Sequence, residues 1–233
     1  MNRSEINDLL RHGEAFFRSF GYILPPFAYL SPAEMRARRG ELDTVIARRL
    51  GWDVTDFGSG DFAKRGLFLF TTRNGDNAQL KAGRGMVYAE KIMISRQGQV
   101  TPLHRHGIKA EDIINRGGAA LAVQLFAAAP DGSVDENLEV RVLTDGVARR
   151  LRGGEILKLN PGESVTLMPN VHWHAFWGES GDVLVGEVST VNDDSTDNVF
   201  REEVGRFAQI DEDEAPLYLL AADFEHWLGD GSR

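Results

Sequence analysis

The 233 residues carry a formal net charge of −9, contain no cysteine, and are 42% hydrophobic and 26% charged, the balance of a water-soluble globular protein of one or two domains. Missing thiols exclude disulfides, thiolate metal sites and cysteine nucleophiles, so any metal must be held by nitrogen and oxygen. The negative charge, with no basic run beyond Arg36, Arg38 and Arg39, argues against nucleic acid; no stretch approaches the roughly 18 apolar residues of a membrane span, and MNRSEINDLL lacks the order of an export signal, which makes the cytoplasm the expected compartment.

In chain order, residues 4–20 set Ile6, Leu9, Leu10, Phe16 and Phe17 at helical spacing behind Ser4, a residue able to cap the first turn. Ser31, Pro32 and Glu34 give a cap, a proline at the first helical position and a carboxylate three after the cap, predicting a helix interrupted at Gly40 and ended by Gly51. From about Gly66 the texture changes to short apolar or β-branched runs at 67–73, 86–95, 120–126, 138–143, 155–159, 164–168 and 183–191. Asn74-Gly75, Asp145-Gly146 and Asn160-Pro161-Gly162 mark turns between them. Strands at this spacing predict an antiparallel sandwich or barrel. The expected organisation is one domain over 1–233: a helical amino-terminal arm at 1–65, a β-barrel core at 66–200, and an extension at 201–233 with an acidic loop at 211–214 and a helix near 221–228.

Four of the six histidines fall in two pairs, His104/His106 and His172/His174. Side chains two apart on a strand share a face, so each pair can offer two imidazoles to one cation. Glu111 lies five residues past His106, an odd offset that requires a turn or bulge. Gly107 can supply it, after which Lys109 and Glu111 share a face.

Residues 98–118, read as G(x)5HxH(x)4E(x)6G, resemble the first cupin motif at every defining position. In the second, G(x)5-7PxGxxH(x)3N, Gly162, Pro169 and His174 match, while Val171 stands in place of the glycine and Gly178 in place of the asparagine. The strings LPPFA (24–28), LGWDVTDFG (50–58), YAEKIM (88–93), EDIINRGG (111–118), GEVSTVNDD (186–194) and IDEDE (210–214) resemble the cupin-type D-lyxose isomerases of bacteria over nearly the whole chain.

That resemblance implies a mainly β, cupin-type antiparallel barrel or jelly roll with a helical amino-terminal arm and a short carboxy-terminal helix. It implies a divalent metal on His104, His106, Glu111 and His174, with His172 as the alternative fourth ligand or a substrate-facing neighbour. Manganese is the ion of the family, in a donor set that also suits zinc, cobalt, iron or nickel. The implied substrate is a free aldose such as D-lyxose, isomerised through an enediol, and the implied assembly is a homodimer. Lys109, from its spacing, and Asp194, from its place in VNDD, are the candidates for proton transfer, with Asp193 as alternate to Asp194. Lys91 is expected to orient sugar hydroxyls or stabilise the enediolate, and Trp177, beside Trp173 and Phe176, to pack on the sugar. Arg206 either reaches a sugar hydroxyl or pairs with Asp211 or Asp213. The same ligands occur in metal-dependent cupin dioxygenases, and a non-catalytic sugar-binding cupin is the third reading; a lysine at position 109 favours the isomerase, since a binder needs no proton shuttle.

Overall fold

The computed structural model describes residues 1–193, 196–205 and 208–229. Its first helix is α1, Arg3–Ser19, and the cap is Asn2 rather than Ser4: the Asn2 backbone N–H donates to the Glu5 carboxylate at 2.7 Å. Ser4 lies inside the helix, where its N–H and hydroxyl both donate to Asp213. Ser31 does cap α2, Pro32–Ala37, accepting from the Glu34 N–H while Glu34 accepts from the Ser31 N–H. A 3₁₀ turn containing Gly40 then separates α2 from α3, Asp43–Ala47.

Strand structure begins earlier than residue 66. Gly51–Thr55 forms β1 and pairs antiparallel with β2, Leu67–Arg73. Trp52 and Val54 turn one face of β1 toward the helical arm, while Asp53 and Thr55 turn the other into the barrel. A short helix α4, Asn77–Lys81, leads to β3, Tyr88–Ser95. Then come β4, Thr101–His106; β5, Glu111–Gly118; β6, Leu121–Ala128; β7, Val134–Asp135; and β8, Val140–Thr144. The series ends with β9, Val147–Leu151; β10, Ile156–Leu159; β11, Ser164–Leu167; β12, His172–Gly178; β13, Val183–Thr190; and β14, Asn198–Phe200. Helix α5, Phe224–Leu228, closes the described chain. No helix among the described residues is long and apolar enough to cross a membrane.

The strands form two antiparallel sheets. The larger has eight strands in the order β1-β2-β3-β13-β5-β11-β8-β9; in the smaller, β10, β6, β12, β4 and β14 run in order and β7 pairs with β6. Leu69, Met93, Ile113 and Val185 of the large sheet meet Leu125 and Phe176 of the small one in the barrel core. On the outer side of the large sheet, Phe68, Phe70, Ile92 and Ile94 are covered by Ile6, Leu10 and Phe17 of α1. Burial on both faces explains why β2 and β3 read as nearly continuous apolar runs rather than an alternation. Gly13 permits this seat, because a methyl group there would collide with the Phe68 ring.

The two ends of the chain are tied by a buried fork. Arg3 is fully buried and donates to both oxygens of Asp223, each at 2.9 Å, and to Glu212 at 2.6 and 2.8 Å. The acidic loop at 211–214 thus serves the start of α1, with Glu212 on Arg3, Asp213 on Ser4 and Glu214 on Asn7, where carboxylates also meet the positive end of the helix dipole. Arg3→Ala leaves Asp223 buried without its cation and is expected to lower unfolding stability by about 3–5 kcal/mol. Urea denaturation checks this, with Arg3→Lys recovering only part because it lacks the planar fork.

Candidate active site

Strands β4 and β12 lie side by side with His174 directly opposite His104, and His106 shares the His104 face by the period-two rule. The imidazoles of His104, His106 and His174 each offer a nitrogen, and the three atoms lie within 4.8 Å of one another, all buried. Glu111 comes from the other sheet. Its Oε1 stands 3.1 Å from Nε2 of His106 and 3.1 Å from Nε2 of His174. Neither Glu111 Oε1 nor His106 Nε2 makes a hydrogen bond.

Such a convergence of donor atoms, unsatisfied and out of water, is costly unless a cation lies among them, so the residues fit a divalent metal. His104 is prepared for this role: its Nδ1 lies 2.7 Å from the Pro102 carbonyl, which can only accept, so the proton sits on Nδ1 and Nε2 keeps its lone pair. Burial, with His174 and His106 nearby, holds His104 well below the ordinary histidine pKa; burial and Lys109 lower that of His106. Both rings are therefore neutral, as ligation requires.

Beside this cluster lie two lysines and a second carboxylate. Lys109 Nζ is 2.7 Å from Glu111 Oε2 and donates to Glu187 Oε1 at 2.9 Å. Lys91 Nζ donates to Asn192 Oδ1 at 2.8 Å and stands 3.4 Å from Glu187 Oε1. Burial lowers the Lys109 pKa, but Glu111 and Glu187 outweigh it and hold the group above the ordinary lysine value. For Lys91 burial wins over Glu187, with Lys109 adding to the fall, and the pKa drops to about 8. Burial raises the Glu187 pKa, yet Lys109 and Lys91 more than reverse this and keep it ionised. A cavity of about 650 Å³, counting its open mouth, joins all these groups, with Asp53 and Thr55 on one wall and Phe57, Phe176 and Phe200 on others.

Among the sequence-derived candidates, His104, His106, Glu111, His174, Lys109 and Lys91 all line this cavity. His172 does not. Its Nδ1 accepts from the Met168 N–H at 2.8 Å and its Nε2 therefore donates to the Arg141 carbonyl at 2.9 Å, so both nitrogens are engaged by backbone and neither can reach metal or substrate. Trp177 lies an odd number of residues from His174 and turns to the opposite face of β12; Phe176 takes the place expected for it. Asp193 lines a separate cleft with Arg48 and Asn74, where it accepts from Thr196 and Asn77. Asp194 and Arg206 lie outside the described residues. Glu187, Asp53 and Thr55 escaped the reading of the chain, although a lone carboxylate inside the apolar run VLVGEV was a usable signal for Glu187.

The model of the family described as D-lyxose isomerase matches residues 1–224. A D-lyxose/D-mannose isomerase from Serratia proteamaculans is 48% identical over 231 residues, 98% of this chain and 100% of that protein. A protein of the same name from Escherichia coli O157:H7 is 45% identical over 238 residues, 97% of this chain and 100% of that protein. Among solved structures, the L-ribose isomerase of Acinetobacter sp. DL28 in complex with L-ribose superposes with a TM-score of 0.60 at 18% identity, covering 91% of this chain and 98% of that one. The Cellulomonas parahominis L-ribose isomerase with L-psicose gives 0.54 at 17%, with the same coverage. At that identity the two structures speak for the shared fold.

Metal analysis after reconstitution is expected to show Glu111→Gln and His106→Ala each binding divalent cations more than about 100-fold more weakly, beyond the usual cost of losing an outer hydrogen-bond partner. His172→Gln is expected to bind them as the parent does.

Proposed function

This chain belongs to the D-lyxose isomerase family, and from that premise we propose that it interconverts an aldose with its 2-ketose, D-lyxose with D-xylulose and D-mannose with D-fructose. The observation that carries the reading is Glu187, a buried carboxylate between two lysines in the same cavity as three convergent imidazoles and Glu111. That is an ionised proton acceptor beside a cation site, the pairing that proton abstraction next to a carbonyl demands. A manganese ion held by His104, His106, Glu111 and His174 would supply Lewis acidity, lowering the cost of negative charge on the sugar's O1 and O2.

The chain's own groups do the rest. Glu187 accepts the proton from C2 while Lys91 gives a proton to O1, forming the 1,2-enediol. Glu187 then returns its proton to C1 as the O2 hydroxyl gives its proton back to Lys91, which leaves the ketose and restores both residues. The spacing of the sequence put proton transfer on Lys109; held as an ammonium by Glu111 and Glu187, Lys109 has no lone pair to accept with. Its part is to keep both carboxylates ionised and in place. Phe57, Phe176 and Phe200 offer apolar walls to the C–H faces of the sugar and keep bulk water from the enediol.

Incubation of the manganese-loaded protein with D-lyxose and D-mannose in heavy water tests the reading: ketose is expected, with deuterium at C1 in the fraction of turnovers in which the Glu187 proton exchanges with solvent before it is returned. Failure to form either ketose would sink it, and a Glu187→Gln variant with the parent's kcat would remove the proton-transfer role of Glu187. Glu187→Gln is expected to lower kcat by about 10²–10⁴-fold with metal content unchanged. The Lys91 ammonium is complete well below its pKa of about 8 and is lost as pH rises through it. Turnover should therefore decline on the alkaline side in a pH–rate profile, and Lys91→Arg, whose guanidinium gives up no proton, should lower kcat and remove that limb.

A further inference from the structure

Between His106 and Glu111 the chain must turn so that both side chains reach one point. The four backbone N–H groups of this turn are all taken by Thr190 and Asp197. Gly107 donates to the Asp197 carbonyl at 3.1 Å, Ile108 to Asp197 Oδ1 at 2.6 Å, Lys109 to Asp197 Oδ2 at 3.0 Å, and Ala110 to Thr190 Oγ1 at 3.2 Å. Three of the four bonds end on one residue. Asp197 is buried, immediately precedes β14, and is carried to this place by the pairing of Asn198 with His106.

The same carboxylate faces the histidine cluster from behind. Asp197 Oδ2 stands 3.8 Å from His106 Nδ1, a buried atom with no hydrogen bond, while His106 Nε2 is the nitrogen turned toward Glu111. Gly107, expected to supply the turn or bulge, does not use the left-handed region. What its missing side chain allows is this approach, since a Cβ would sit 3.2 Å from Asp197 Oδ1.

We propose that Asp197 is a positioning residue that acts through two others: it locks the turn holding Lys109 against Glu111 and Glu187, and it keeps the proton of His106 on Nδ1 so that Nε2 is presented to a cation. His104 reaches the same state through a 2.7 Å contact with the Pro102 carbonyl; for His106 the influence is electrostatic, from a carboxylate oxygen 3.8 Å from Nδ1. The inference rests on the metal-isomerase reading above and adds to it a residue that does not line the cavity.

Cobalt(II) binding to the whole chain, read by its visible absorption bands and by competition with a chelator, is the test. Asp197→Asn keeps the shape and loses the charge; it is expected to bind cobalt about 10–100-fold more weakly, with altered bands, at an unchanged far-ultraviolet circular dichroism spectrum. An Asn variant with the parent's affinity and bands overturns the proposal. Should that variant fail to fold, the parent protein decides: long-range ¹H–¹⁵N spectra of the metal-free chain must place the His106 proton on Nδ1, and a proton on Nε2 overturns it. A parent that takes up no cobalt defeats the metal reading itself, which separates that failure from the loss of the Asp197 role alone.

Discussion

Two carboxylates and two lysines sit inside an apolar barrel, and charges there are tolerated only when each has a partner. Glu111 meets Lys109, Lys109 meets Glu187, and Glu187 meets Lys91, a chain of alternating sign across the large sheet. Glu111 Oε1 is left over from this pairing and turns to His106 and His174 on the other sheet. The alternation thus exports one unsatisfied negative oxygen to the place where the imidazoles gather. Chemistry at the site depends on that arrangement, because it sets which groups are ionised and leaves Lys91 as the lysine whose proton is loosely held.

Holding such a chain of charges in register needs a stiff support. The large sheet is buried on both faces along β1, β2 and β3, with the barrel core on one side and α1 on the other. Phe17 lies parallel to Trp52 at a centroid distance of 6.2 Å, and Trp52 is further anchored by its bond to the Ala28 carbonyl. The helical arm is therefore part of the site's foundation. Lys91 and Glu187 lie on the paired strands β3 and β13, directly opposite one another in register. A slip of one residue would turn either of them out of the barrel.

The small sheet works differently. Its imidazoles come from β4 and β12, whose pairing changes register between His174 and Phe176, a local irregularity of the kind found where a strand must aim a side chain. Beyond His106 the strand ends in the turn clamped by Asp197. That turn converts the odd offset between His106 and Glu111 into a common target.

Much of this was legible in the residues alone. The HxH pair at His104 and His106 and the strand periodicity determine two ligands on one face, because alternation in a strand is set by covalent geometry. The Ser31 cap, the short β runs and the absence of thiols are equally local facts. The sequence could not by itself choose between His172 and His174 on geometric grounds: they share a face, and what distinguishes them is that the Met168 N–H and Arg141 carbonyl occupy one ring and not the other. Nor could it show Glu187 between two lysines, or Asp197 behind His106, since those contacts join residues many positions apart. Protonation states followed the same division. A side chain's identity sets its ordinary pKa, but only the tertiary structure decided that Lys109 keeps its proton and Lys91 holds it weakly, because burial and the number of adjacent carboxylates are properties of the fold.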